Sequence, residues 1–198
     1  PPGIRSSQYF GYSGAYSAVT TILPGKGYWV KASAPGVLVL TGGPSPTLAA
    51  FANPLEGFGT ITIADGDGAV QTLYLGDDRN GTFPVAFYEM PPAGPEGTFD
   101  VRFSSGRMVE TYSAQQGTNS VHAIDLRGVS LPVMVSWQLP AGSTRVFRIN
   151  DGNGERTMTS SGTLTLTNPS VRRLTVTTIS SEVPVEFSLG QNYPNPFN

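Results

Sequence analysis

The stretch Gly59-Thr60-Ile61-Thr62-Ile63-Ala64-Asp65-Gly66-Asp67-Gly68-Ala69-Val70-Gln71-Thr72-Leu73-Tyr74-Leu75 decides the fold. Its first six residues alternate strictly, so a strand places Ile61 and Ile63 on one face and the threonines on the other. Asp65-Gly66-Asp67-Gly68 then interrupts the pattern, and residues 69–75 resume it as a second run. A short Asp-Gly connection between two alternating runs predicts a β-hairpin, because Gly accepts the positive φ that tight hairpin turns demand.

The same rhythm continues downstream. Strands are predicted at 98–103, 107–112, 120–126, 133–139, 145–149, 155–159, 162–166 and 172–179. A spacing of roughly 8–12 residues with intervening turn signals predicts a sandwich or an open barrel. Upstream, Tyr28-Trp29-Val30-Lys31-Ala32 and Gly36-Val37-Leu38-Val39-Leu40 flank Pro35-Gly36 and read as a further hairpin. Helical periodicity is nearly absent, and residues 47–53, free of Gly and Pro, are too few for a stable helix alone. The expected class is all-β, built of antiparallel β-sandwich modules. Residues 133–179 have an immunoglobulin-like rhythm, with Trp137 placed early, where such domains bury an aromatic side chain.

Composition agrees. The chain of 198 residues has 38% hydrophobic and 13% charged residues and a formal net charge of -2. That apolar content supports a core, and low net charge argues against disorder. Lys26 and Lys31 are the only lysines, so the cationic footprint of a nucleic-acid binder is missing and no nucleic-acid partner is expected. With 24 Gly and 17 Pro, about a fifth of the chain favours turns, as many short strands require. There is no cysteine, hence no disulfide framework and no thiolate metal site. No apolar run is long enough for a membrane-spanning helix.

Pro1-Pro2-Gly3 is neither a signal peptide nor a natural start, so a fragment of a longer chain is expected. Residues 44–54 read as a linker. Residues 55–180 form the sandwich region, either continuous or dividing near 128–132. Residues 181–188 read as a second linker, with Pro184 breaking the preceding strand pattern.

Chemistry-bearing residues are sparse. His122 is the single histidine and sits in an alternating run, where a structural place is expected rather than a catalytic one. No Gly-x-Ser-x-Gly elbow, Walker loop or dinucleotide loop occurs. Glu89, Asp100, Glu110 and Asp125 lie on or near strands, but nothing in their spacing pairs two across a cleft. Asp65, Asp67, Asp151 and Asn153 offer hard oxygen ligands and are the calcium candidates, although hairpin turns select the same residue types. Tyr28, Trp29 and Trp137 are candidate ligand-stacking aromatics. No catalytic residue, no cofactor and no enzymatic activity are expected.

The tail reads Leu189-Gly190-Gln191-Asn192-Tyr193-Pro194-Asn195-Pro196-Phe197-Asn198. It resembles the opening of the type A C-terminal sorting domain carried by cargo of the type IX secretion system. The match runs unbroken over Gln191, Asn192, Tyr193, Pro194, Asn195, Pro196, Phe197 and Asn198, and covers only this tail. Near the start, Tyr9-Phe10-Gly11-Tyr12 and Leu23-Pro24-Gly25-Lys26-Gly27-Tyr28-Trp29-Val30-Lys31 are similar to a segment of long exported proteins from the same bacterial lineage, which implies that residues 1–43 are the C-terminal part of a truncated β-rich module. The resemblance implies a secreted or cell-surface protein that meets the outer-membrane secretion machinery through its tail.

The expected function is a non-catalytic structural or adhesive module. One alternative is an accessory or carbohydrate-binding region of a secreted hydrolase or peptidase, with a surface polysaccharide as partner. Another is self-association into an extracellular fibre by strand exchange.

Overall fold

The computed structural model describes residues 3–39, 53–113 and 119–180. Thirteen strands run through them: β1 (Tyr9–Tyr12), β2 (Tyr16–Val19), β3 (Tyr28–Trp29), β4 (Gly59–Ala64), β5 (Val70–Asp77), β6 (Asp100–Phe103), β7 (Val109–Tyr112), β8 (Ser120–Arg127), β9 (Val133–Gln138), β10 (Arg145–Asn150), β11 (Glu155–Met158), β12 (Ser161–Leu166) and β13 (Arg173–Ser180). A single 3-10 turn, Val85–Tyr88, is the helical element among the described residues. The class is all-β, as the alternation predicts.

Two five-stranded sheets make the sandwich, one ordered β12-β9-β4-β5-β7 and the other β11-β10-β13-β8-β6. The β4–β5 hairpin closes with Ile61 opposite Leu73 and Thr62 opposite Thr72. This register turns every apolar member of the pair to one face. Ile61, Ile63, Leu73, Leu75, Val133, Val135, Leu164 and Leu166 of the first sheet are buried. They share one core with Val101, Phe103, Ile124, Leu126, Phe147, Ile149, Leu174 and Val176 of the second. Each such side chain, removed from water, contributes about 1.5–3 kcal/mol.

The strand pairs are antiparallel except for β5 and β7, which run parallel. The cause is the tight corner at 104–107, where the Phe103 N–H donates to the Arg107 carbonyl. There the chain leaves β6 in one sheet and enters β7 in the other. Residues 133–179 supply strands to both sheets but complete neither; β4, β5 and β7 finish one, and β6 and β8 the other. β4 pairs with β9, so strands from either side of residues 128–132 share one sheet.

The predicted hairpin of Tyr28–Ala32 with Gly36–Leu40 does not form. β3 is limited to Tyr28–Trp29 and pairs with β1, giving a small sheet ordered β2-β1-β3. Val37, Leu38 and Val39 lie outside any strand and are 84%, 58% and 72% exposed. An apolar β-branched run is able to pair, but β3 offers only two residues and no core lies beneath Val37–Val39. Leu40 falls outside the described residues, as do most of the 44–54 linker, residues 181–188 and the sorting-like tail.

The small sheet packs on the sandwich. Phe10 is buried in the common core, with Tyr16, Ala18 and Trp29 against it. The Gln8 N–H donates to the Phe87 carbonyl at 2.7 Å. Gln71 Nε2 donates to the Tyr16 carbonyl at 3.0 Å, and Lys31 Nζ meets Glu89 Oε1 at 2.6 Å.

Candidate functional site

Strand register defines two ends of the sandwich. At the near end, β9 finishes at Gln138 opposite Thr60, and β10 starts at Arg145 opposite Ser180. β4 therefore begins, and β13 ends, beside the loop 139–144. A Cβ built on Gly59 would stand 2.7 Å from Pro140 Cδ, so the chain enters in close contact with that loop. At the far end, Ala64 faces Val70, Val133 faces Leu166, Asn150 faces Glu155, and Asp100 faces Arg127. The turns 65–69, 128–132, 151–154 and 167–172 thus lie at the opposite end from the start of β4 and the end of β13.

The calcium candidates shape these far-end turns. Asp65 Oδ1 accepts the N–H groups of Asp67 (3.1 Å) and Ala69 (2.9 Å), and its Oδ2 accepts the Ser130 N–H at 3.1 Å. Asp67 accepts the Ser130 hydroxyl. Asp151 Oδ1 accepts the Asn153 and Gly154 N–H groups at 2.9 and 3.2 Å. These are the side-chain-to-backbone bonds that Asp and Asn make in turns. Asn168 Nδ2 reaches Asn153 Oδ1 at 3.5 Å and ties two turns together. The pairs Asp65/Asp67 and Asp151/Asn153 belong to separate turns. Among the described residues, no three His, Cys, Asp or Glu side chains group to hold a metal.

Beside these turns an open trough of about 600 Å³ lies between residues 93–98 and 126–129, and about 400 Å³ more continues past Asp125 and Arg173. Arg127 and Arg172 border both parts. Gly128 permits the wall: at φ +56° it brings the position of a Cβ within 2.2 Å of the Thr98 carbonyl oxygen. Two carboxylates on this surface are already neutralised. The Arg102 guanidinium grips both oxygens of Asp100, and Arg173 Nε donates to Asp125 at 2.8 Å. Arg172 gives one donor to the Pro169 carbonyl at 2.6 Å. Arg127 is exposed and forms no hydrogen bond or ion pair with another side chain among the described residues. Residue spacing does not reveal that Arg127 and Arg172 border one trough, because the β8–β13 ladder brings their segments together. An Asp-x-Arg spacing on a strand does place Asp100 and Arg102 on one face, which is the sequence signal for their ion pair.

A second concavity, about 420 Å³, separates the small sheet from the sandwich, with Tyr16, Gln71, Tyr74 and Tyr88 on its walls. The stacking candidates lie elsewhere. Trp137 is 9% exposed; its indole N–H donates to the Thr159 carbonyl at 3.1 Å, and its ring lies over Gly162. Trp29 is half-buried with its ring centroid 6.1 Å from that of Phe10. The Tyr28 hydroxyl accepts the Leu23 N–H at 2.9 Å.

His122 points into the sandwich, edge-on to Phe103 at 6.2 Å between centroids. Burial holds its pKa below the ordinary histidine value; the Glu110 charge opposes this and the Arg107 charge adds to it. Its Nε2 has no hydrogen-bond partner. The four carboxylates are each held by a cation of their own: Glu89 by Lys31, Asp100 by Arg102, Glu110 by Arg107 and Asp125 by Arg173. Among the described residues, no helix is long and apolar enough to cross a membrane. No family model matches the chain, and comparison with curated proteins and with solved structures returns no significant match.

Proposed function

We propose that the chain is a non-catalytic adhesive or structural module of a secreted or cell-surface bacterial protein. One observation carries the reading: β4 begins and β13 ends at the same end of the sandwich. A domain spacing two neighbours in line would take the chain in at one end and out at the other. Here the start of β4 and the end of β13 share the near end, which leaves the far-end turns open to a partner. Those turns are stiffened by the Asp65 and Asp151 carboxylates, which suits a presented surface better than a mobile one. The resemblance of Gln191–Asn198 to a sorting-domain opening supports an extracellular place.

The full chain, coupled to beads through its C-terminus, tests adhesion. Retention on bacterial cell-surface material, lost when residues 167–172 are replaced by a Gly/Ser linker and kept when 140–143 are so replaced, supports the reading. No retention at all, or loss only with the 140–143 replacement, contradicts it. Export is tested in the native host by deleting Gln191–Asn198 from the full gene. Unchanged release to the medium would remove the secretion half of the proposal.

A second reading, an accessory carbohydrate-binding region of a secreted hydrolase or peptidase, is favoured by the tyrosine-walled cleft between the small sheet and the sandwich. It predicts saturable binding of a neutral glycan that Tyr74→Ala abolishes. Binding that survives this substitution would count against it.

A further inference from the structure

We infer that the cleft between β2 and β5 accepts the exposed segment Val37–Val39 of a second copy of this chain, as an added strand. The inference does not depend on whether the far-end turns bind a cell surface. Register defines the acceptor. The Ser13 N–H donates to the Ala15 carbonyl at 3.1 Å, just beyond the Tyr12–Tyr16 pair, so that pair is of the kind that exchanges no hydrogen bonds. The backbone N–H and C=O of Tyr16, and by alternation those of Ala18, therefore point away from β1. The Asp65 N–H likewise donates to the Ala69 carbonyl at 3.0 Å, just beyond the Ala64–Val70 pair, so the same groups of Val70 and Thr72 point away from β4. β7 covers that side of β5 only from Tyr74 onward. Tyr16, Ala18, Val70 and Thr72 all line the one cleft. Their N–H groups have no hydrogen-bond partner among the described residues. One carbonyl from each edge is held by a single amide: Gln71 Nε2 donates to Tyr16 at 3.0 Å and to Thr72 at 3.1 Å. A side chain thus stands where the N–H of a further strand would.

Charge and exposure identify the occupant. No charged side chain lines the cleft, and Tyr16, Leu55, Tyr74 and Met108 supply apolar wall. A strand that fits is apolar, uncharged and unpaired in its own fold. Val37, Leu38 and Val39 meet all three conditions: they are exposed, join no strand and make no backbone hydrogen bond among the described residues. The residues leading into them, 32–36, carry no charge either. Because the segment stands in solvent, it does not fill the cleft of its own chain. An unprotected edge and an unpaired β-branched run are the two halves of strand addition. They are different surfaces of one chain, so a copy that gives its segment still offers its cleft, and the contact repeats head to tail. The β12 edge is also uncharged, but Ser161, Thr163 and Thr165 are exposed there and give an apolar segment no wall.

The test uses the full chain in sedimentation velocity, with an end-capped peptide of residues 33–39 as competitor. The parent should grow in size with concentration, and excess peptide should return it to monomer. Leu38→Pro removes one strand donor and should weaken association by about tenfold or more. Leu38 is exposed and outside any strand, so the melting temperature of this variant should match the parent's. Val121→Asp changes a comparably exposed apolar residue on β8 and should leave association unaltered. Photo-leucine at position 38 of the peptide should crosslink to residues 16–20 or 70–74. A parent that stays monomeric at every concentration and ignores the peptide overturns the inference. So does association undiminished by Leu38→Pro, or abolished by Val121→Asp, which would mark general stickiness. Crosslinks to residues 161–166 would move the acceptor to β12 and overturn the cleft. Peptide binding to Leu38→Pro but not to dilute parent would mean that the segment fills its own cleft, which overturns the second copy. Neutral-glycan binding that needs Tyr74 and that excess peptide leaves untouched would assign the cleft to a sugar instead.

Discussion

Asp100 and Arg102 stand two residues apart on β6 and close a bidentate ion pair beneath the segment that leads into that strand. Strand alternation puts both on the same face. The guanidinium meets both carboxylate oxygens, and Nη1 donates to the Pro91 carbonyl at 2.7 Å. Their side chains retain only 6% and 10% of their exposure. Removing one partner from such a pair leaves a desolvated charge alone, at a cost of about 3–5 kcal/mol. Asp100→Ala should lower the unfolding free energy by that amount in urea titration. The double change Asp100→Leu with Arg102→Met should recover most of it, because well-packed apolar replacements remove both desolvation costs. A single-variant loss below about 1 kcal/mol, the range of exposed pairs, would show that the pair stands in water.

Trp137 and Gly162 face each other across β9 and β12. A Cβ on Gly162 would lie 2.4 Å from Trp137 Cζ2 and 2.8 Å from Cε2, closer than carbon atoms approach. The indole cannot move away freely, since its N–H is bonded to the Thr159 carbonyl. Gly162→Ala should therefore destabilise by about 1–3 kcal/mol, the ordinary cost of overpacking. The near-UV circular dichroism of the tryptophans should change with it. An unchanged spectrum with unchanged stability would mean that the ring has room.

How far residues alone reach is clear from particular positions. Ile61, Ile63, Leu73 and Leu75 announce their hairpin because one face is apolar, the other is not, and an Asp-Gly turn joins the runs. Val37, Leu38 and Val39 form an unbroken apolar run yet join no strand, because such a run does not say whether a core lies beneath it. The parallel pairing of β5 with β7 was hidden for a related reason. β6, which lies between them in sequence, belongs to the other sheet. Asp65 and Asp151 were legible as turn residues from their types. That Arg127 and Arg172 border one trough was not legible. Only the β8–β13 ladder brings their segments together.

His122 should give the protein a pH dependence near neutrality. Burial lowers its folded-state pKa, with Glu110 opposing and Arg107 reinforcing the shift. The unfolded chain takes up a proton at about pH 6.5, where the folded protein still refuses it. This contribution to stability is complete above about pH 6.5 and is lost as pH falls from there through the lower, folded-state value. The melting temperature should fall over that interval. In His122→Leu the fall should be much reduced, since leucine does not titrate and leaves no unpaired ring nitrogen in the core. An identical slope in both proteins would assign the dependence to other groups.

Asp65 bears on calcium and on the far-end turns together. Its two oxygens serve three backbone N–H groups, those of Asp67, Ala69 and Ser130, and so join the β4–β5 turn to the segment before β9. Asp65→Ala leaves these donors without their charged acceptor. A hydrogen bond to a charged group contributes about 1.5–3 kcal/mol, and water can replace part of the loss in a turn. A destabilisation of about 2–3 kcal/mol is expected in urea titration. Asp65→Asn keeps an acceptor for Asp67 and Ala69 but forfeits the charge, and should fall between the alanine variant and the parent. Because both oxygens already point at N–H groups, a calcium ion would have to displace those bonds to bind. Millimolar calcium should therefore leave the melting temperature unchanged. A rise of several degrees on adding calcium, abolished by chelation and absent from Asp65→Asn, would instead make Asp65 a metal ligand and the three backbone bonds its resting arrangement.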